Sequence, residues 1–183
     1  LDNYDSFTYN LVHLLRKLGA AFEVYRNDKI SLEDAGKFGK ILLSPGPGLP
    51  SEAGIMPQIV EKYSPTHSIL GICLGHQCIG ESFGAKLLNM PILMHGKTSE
   101  IKVVDENEGI FGGLPKSITV GRYHSWLVDS KGLPSEIVVT AETENKQIMG
   151  LRHERYDVRG LQFHPESVMT EHGEGMIRNW LRN

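Results

Sequence analysis

Two hydrophobic rhythms alternate along the first half of the chain. Leu11, Leu14, Leu15 and Leu18 recur at three- and four-residue spacing, which predicts an amphipathic helix that starts at a Ser6 cap and stops at Gly19. Phe22–Tyr25 then alternates as a strand would, and a polar stretch from Ser31 to Gly39 holds a short helix. Lys40–Leu43 is a short apolar strand, and Ile55–Tyr63 a further helix. Ser68–Ile72 is an apolar run that suits a buried strand, and Leu74–Phe83 can wind as a helix behind it. Strands alternating with helices at this spacing predict an α/β fold in three layers, with a mostly parallel central sheet covered on both faces.

The second half changes rhythm. Glu100–Val104, Ile118–Tyr123, Glu136–Ala141, Ile148–His153 and Val158–Phe163 all read as extended, and turns rich in glycine, proline and asparagine separate them. A small mixed or antiparallel sheet is therefore expected as an appendage to the parallel one. Glu171–Leu181 closes the chain as a helix, apolar at Met176, Ile177, Trp180 and Leu181. With no internal repeat, low-complexity tract or linker, residues 1–183 are expected to form a single domain.

Charge and composition then narrow the function classes. The formal net charge is −3, with positive and negative residues interspersed, so there is no basic stripe for nucleic acid. No apolar run approaches membrane-spanning length. Cys73 and Cys78 are the only cysteines, and neither has a distant partner. That excludes a disulfide framework and suggests a reducing, cytoplasmic setting. The eight histidines lack metal-ligand spacing, so neither a metal nor another cofactor is expected. The chain opens on Leu1, and the first half of an initial strand is expected to precede it.

The candidate chemistry lies where the strand Ser68–Ile72 ends. Gly71-Ile72-Cys73-Leu74-Gly75 places a cysteine between two glycines at a strand-to-helix turn. Side chains two residues either side of such a turn would collide, so glycine is required there. The turn sets the sulfur at a helix N-terminus, where unpaired N–H groups favour negative charge. A lone cysteine after a strand is more often core packing; the flanking glycines reverse that balance. A second motif, Gly160-Leu161-Gln162-Phe163-His164-Pro165-Glu166-Ser167, projects His164 and Glu166 to one side. A histidine that takes a thiol proton needs its other ring nitrogen held, and a carboxylate two residues away can hold it. Nucleophile, base and orienter would then be Cys73, His164 and Glu166. The Ser44-Pro45-Gly46-Pro47-Gly48 loop lacks the lysine and hydroxyl of a phosphate loop. A glycine N–H from it, with the Leu74 N–H, would suit an oxyanion.

Six stretches occur in order: Asp2–Phe7, Ser44–Gly48, Gly71–Gln77, His95–Ser99, Arg122–Ser125 and Phe163–Ser167. Together they resemble the class I, or triad, glutamine amidotransferases, in the branch of the small subunits of anthranilate synthase and aminodeoxychorismate synthase. The resemblance implies a flavodoxin-like domain in which Cys73 attacks the side-chain amide of L-glutamine, forms a thioester and releases ammonia. It implies that Gly46, Pro47, Gly48 and Leu74 line the substrate and oxyanion site. Gln77 and the Ser125–Trp126 segment would then contact glutamine. Trp126 departs from the leucine common in that segment; the contact is expected through backbone atoms. His95 and Lys97 fall in a stretch that resembles the face turned to a chorismate-binding large subunit, the partner needed for the second reaction. Either synthase fits the resemblance. A stand-alone γ-glutamyl hydrolase or cysteine peptidase would share the nucleophile, and a module with an inactive site is the non-enzymatic alternative.

Overall fold

The computed structural model describes residues 1–182. Seven strands form one twisted sheet in the order β1-β2-β7-β6-β5-β3-β4. The strands are β1 Lys40–Leu43, β2 Ser68–Ile72, β3 Leu87–Val103, β4 Ser117–Val128, β5 Ile137–Thr143, β6 Ile148–His153 and β7 Val158–Leu161. The first three in that spatial order pair in parallel, with Leu43 opposite Gly71 and Ile72 opposite Leu161. From β7 onward every pairing is antiparallel. The antiparallel part expected as an appendage is thus a continuation of the same sheet through β7 and β6.

Helices cover both faces. On one side α1 (Thr8–Lys17) and α5 (Gly173–Arg182) bury Leu11, Leu15, Met176, Ile177 and Trp180 against Leu70, Ile72, Ile118 and Val120. On the other, α3 (Met56–Tyr63) and α4 (Leu74–Ser82) pack Met56, Ile59, Val60 and Ile79 on Ile41, Leu43, Ile69 and Val158. A short α2 (Leu32–Ala35) is capped by Ser31, whose hydroxyl accepts the Asp34 N–H at 3.0 Å. All five residues of β2 are buried, as a central parallel strand covered on both faces requires. Among the described residues no helix is long and apolar enough to cross a membrane.

Three sequence expectations need correction. Phe22–Tyr25 forms no strand; beside it the chain makes only a single parallel bridge, Asp2 to Arg26, and one bridge is not a ladder. Ser6 does not cap α1: the Asp5 carboxylate takes its place in the turn before the helix, accepting the Phe7 N–H at 2.7 Å, as an aspartate does for the N–H two residues on. β3 begins at Leu87, thirteen residues before the predicted Glu100 (100 − 87), and runs as a long hairpin arm against β4. Its register shifts between Asn89 and Met94 and again between His95 and Lys97, so no period-two pattern survives to be read.

Candidate active site

β2 and β7 are parallel neighbours, so the chain leaves both at the same end of the sheet. The Cys73 N–H donates to the Leu161 carbonyl at 2.8 Å, which places the start of α4 beside the segment carrying Gln162 and His164. The elbow is strained: Cys73 has φ 52° and ψ −97°, a region costly for a residue with a side chain. The glycines explain how it closes. A methyl group on Gly71 would run into the backbone of Gly75 and His76, and one on Gly75 would meet the Leu43 carbonyl oxygen at 2.6 Å. Gly71→Ala is therefore expected to destabilise the fold by more than about 3 kcal/mol, beyond the usual cost of core overpacking, because backbone would have to move. Urea unfolding beside Gly39→Ala, where nothing lies within 4 Å, checks this; the control should change by less than about 0.5 kcal/mol.

His164 and Glu166 lie side by side after β7. The His164 Nδ1 lies 2.7 Å from Glu166 Oε1, and both side chains are almost wholly buried. Nδ1 carries the proton when it faces a carboxylate, which leaves Nε2 for the sulfur. Nε2 is buried and makes no hydrogen bond of normal geometry among the described residues, yet Cys73 is close enough to favour the charged form of the ring. Burial works against an imidazolium, but Cys73 and Glu166 outweigh it and push His164 up to about 10. Its histidine neighbours go the other way. Burial pulls His76 down to about 4, and burial with Arg122 pulls His124 down to about 3. Of these three rings, only His164 carries the second proton of an imidazolium at neutral pH.

The surrounding chain fixes that ring. The His164 N–H donates to the Gly121 carbonyl at 3.1 Å, and the Thr170 hydroxyl donates to the His164 carbonyl at 2.6 Å. Phe7 and Tyr123 stand edge-on to the imidazole with centroids 4.9 and 5.0 Å away. Tyr123 lies opposite His95 across the β3–β4 ladder, and the two rings are 5.7 Å apart. His95 and Lys97 both lie on exposed strand positions of β3.

The Pro-Gly-Pro-Gly loop follows β1 and folds over the start of α4. A side chain on Gly46 would strike Leu74 Cδ2 and Asn3 Cβ at 2.7 Å, so this loop and the Leu74 end of α4 are in contact. Gly48 adopts φ 74°, which favours glycine, while Pro47 and Gly48 are exposed. Leu74 is the first residue of α4, and the N–H groups of a first turn lack intrahelical partners. Gln77 is buried rather than solvated, and its amide nitrogen donates to the Trp126 carbonyl at 2.9 Å and to Gln162 Oε1 at 3.3 Å. Ser125 and Trp126 are half-buried on β4. Cys78 is a packing residue of α4; burial pushes its thiol up to about 12.

Sequence reasoning missed Gln162, Phe7 and Tyr123. The signal for Gln162 was present: a polar residue between two apolar strand positions, and one that is 0% exposed, needs a partner inside the protein. An apolar cavity of about 200 Å³ lies under α1, lined by Leu11, Leu15, Phe22 and Ile41 among others; it includes none of the candidate residues. Among the described residues no group of three or more His, Cys, Asp or Glu side chains is placed to hold a metal ion.

The chain matches the glutamine amidotransferase class-I family over residues 1–183. It is 46% identical over 183 residues to aminodeoxychorismate synthase component 2 of Escherichia coli (strain K12), covering 99% of this chain and 97% of that protein. It is 47% identical over 186 residues to anthranilate synthase component 2 of Mycobacterium tuberculosis (strain H37Rv), covering 99% of this chain and 79% of the relative. Among solved structures, a Thermoplasma acidophilum protein described as one of the subunits of GMP synthase superimposes with a TM-score of 0.88 at 29% identity. That match covers 100% of this chain and 90% of the other.

Proposed function

From a chain that belongs to the class I glutamine amidotransferase family, we propose a glutaminase subunit that feeds ammonia to a chorismate-using synthase making anthranilate. The observation that carries this reading is the meeting of the Cys73 elbow with the buried His164–Glu166 pair at the shared end of β2 and β7. Cys73 Sγ attacks the side-chain carbonyl carbon of L-glutamine, and the oxyanion that forms is held by N–H groups of Leu74 and the Gly46–Gly48 loop. As the carbon–nitrogen bond breaks, His164 donates its proton to the leaving nitrogen and ammonia departs. Glu166 keeps the ring oriented throughout. The ring then takes a proton from water, which attacks the γ-glutamyl thioester; the carbon–sulfur bond breaks and glutamate leaves.

Gln77, Ser125 and the Trp126 backbone border the place where the amino-acid end of glutamine would lie. Ammonia released into neutral water would be protonated and unreactive, so a partner must receive it through an enclosed path. The exposed β3 arm with His95 and Lys97 is the proposed docking face for that large subunit. The two cysteines are free thiols, which fits a reducing compartment such as the cytoplasm.

The same role beside an aminodeoxychorismate synthase is the second reading. It is favoured by the near full-length match to the Escherichia coli component 2. Co-purification of the partner, followed by incubation with glutamine and chorismate, separates the two by product. Anthranilate supports the first reading and 4-amino-4-deoxychorismate the second. Glutamine hydrolysis that no synthase stimulates would overturn both.

A further inference from the structure

Resting on the reading of Cys73 as nucleophile, we propose that Gln162 donates a hydrogen bond that holds the Cys73 sulfur in its anionic form, and that Gln77 and the Trp126 carbonyl orient that donor. Gln162 Nε2 lies 3.7 Å from Cys73 Sγ, a normal span to an acceptor as large as sulfur. The side chain is fully buried, so its amide has no water to turn to.

The direction of this bond follows from groups that can act in only one way. A backbone carbonyl only accepts, so the Gln77 amide must present its nitrogen to Trp126 O, 2.9 Å away. The other hydrogen of that nitrogen points to Gln162, 3.3 Å away. Gln162 must then present its oxygen to Gln77, which leaves its own nitrogen facing Cys73. Trp126 O is held from a second side. Arg122 Nε only donates, and it lies 3.1 Å from His124 Nε2; that nitrogen is therefore the acceptor, and Nδ1–H of the same ring donates to Trp126 O at 3.0 Å. The chain of bonds thus starts at a guanidinium buried on β4 and ends at the nucleophile. A donor aimed at a developing or standing anion is stronger than one between neutral groups. On this account Gln77 is a positioning residue whose nitrogen is already committed inside the protein.

The test is alkylation of Cys73 by iodoacetamide across pH, followed by mass spectrometry of the Cys73 peptide, with buried Cys78 as the internal reference. Gln162→Met keeps the shape and removes the donor. It should slow Cys73 alkylation at pH 7 about tenfold, the scale of one charge-assisted bond, and move the midpoint of the profile to higher pH. The titratable and charged groups of the surrounding elements are His164 and Glu166 after β7, His76 on α4, and His124 and Arg122 on β4; the substitution leaves all of them in place. Gln77→Met should give a smaller shift in the same direction. If Gln162→Met does not fold, Gln162→Glu keeps the acceptor for Gln77 and turns an oxygen to the sulfur, and should move the profile further. A wild-type profile in the folded variant overturns the inference while the nucleophile reading stands. Wild-type Cys73 that alkylates no faster than Cys78 removes both.

Discussion

Cys73→Ala is expected to abolish glutamine-dependent synthesis by the complete synthase while the rate with added ammonium salt stays at the wild-type level. The expected loss is about 10⁴-fold or more, because the first covalent step has no other nucleophile to run through. The retained ammonia-dependent rate matters as much as the loss. The substitution removes one sulfur from a buried position at the edge of β2 and leaves the glycines of the elbow untouched, so the subunit can still fold and dock. Alanine also suits the end of the turn better than a bulkier residue at φ 52°. Both rates are measured on the same co-purified complex, with glutamine and with ammonium. Loss of both would assign Cys73 to folding or assembly instead of chemistry.

Glu166→Gln is the second large effect, and its signature is a pH profile. In the wild type His164 is pushed up to about 10 against the opposing effect of burial, by Cys73 and by Glu166. The imidazolium therefore persists through neutral pH and is lost only as pH rises toward that value, so kcat/KM should hold across pH 7 to 8 and fall on the alkaline side. Removing the carboxylate takes away one of the influences that raise the group and leaves burial, which lowers it. The alkaline limb then moves to lower pH. At pH 7 kcat/KM should drop by about 10²- to 10⁴-fold, the range of general acid–base assistance. Glutamine of the same size can still bond to the ring but cannot balance its charge. An alkaline limb that stays in place would show that Glu166 does not set the state of His164.

Much of this site was legible because its parts obey steric rules that a sequence displays. Gly71 and Gly75 are required by backbone contacts, and His164 and Glu166 share a side by simple alternation. The neighbourhood that unites them was less visible. That β2 lies beside β7 depends on the sheet order, and Gly71 opposite Gly160 is a pairing eighty-nine residues apart (160 − 71). The helices α3, α4 and α5 and the strand β6 fell within two residues of their expected bounds; α3 and α5 each bury one apolar face, and α4 starts directly after the elbow. The first part of β3 did not, because Asn89, Pro91, His95, Gly96 and Lys97 are polar or breaking residues on an exposed arm held by its partner strand. Phe22–Tyr25 erred the other way: local alternation was present, but its ladder reduces to one bridge at Asp2. Gln162 was hidden by its company, for the histidine two residues later drew the chemistry, and the partners of its buried amide, Cys73 and Gln77, come from the elbow and from α4, more than eighty residues away.

The most direct measurement is to quench the working complex with acid during turnover of isotopically labelled glutamine and locate the label by mass spectrometry. A γ-glutamyl group on the Cys73 peptide, absent when His164 or Cys73 is replaced, is the predicted result. Ammonia production with Cys73 unlabelled at every time point, or a label carried by another residue, would contradict it.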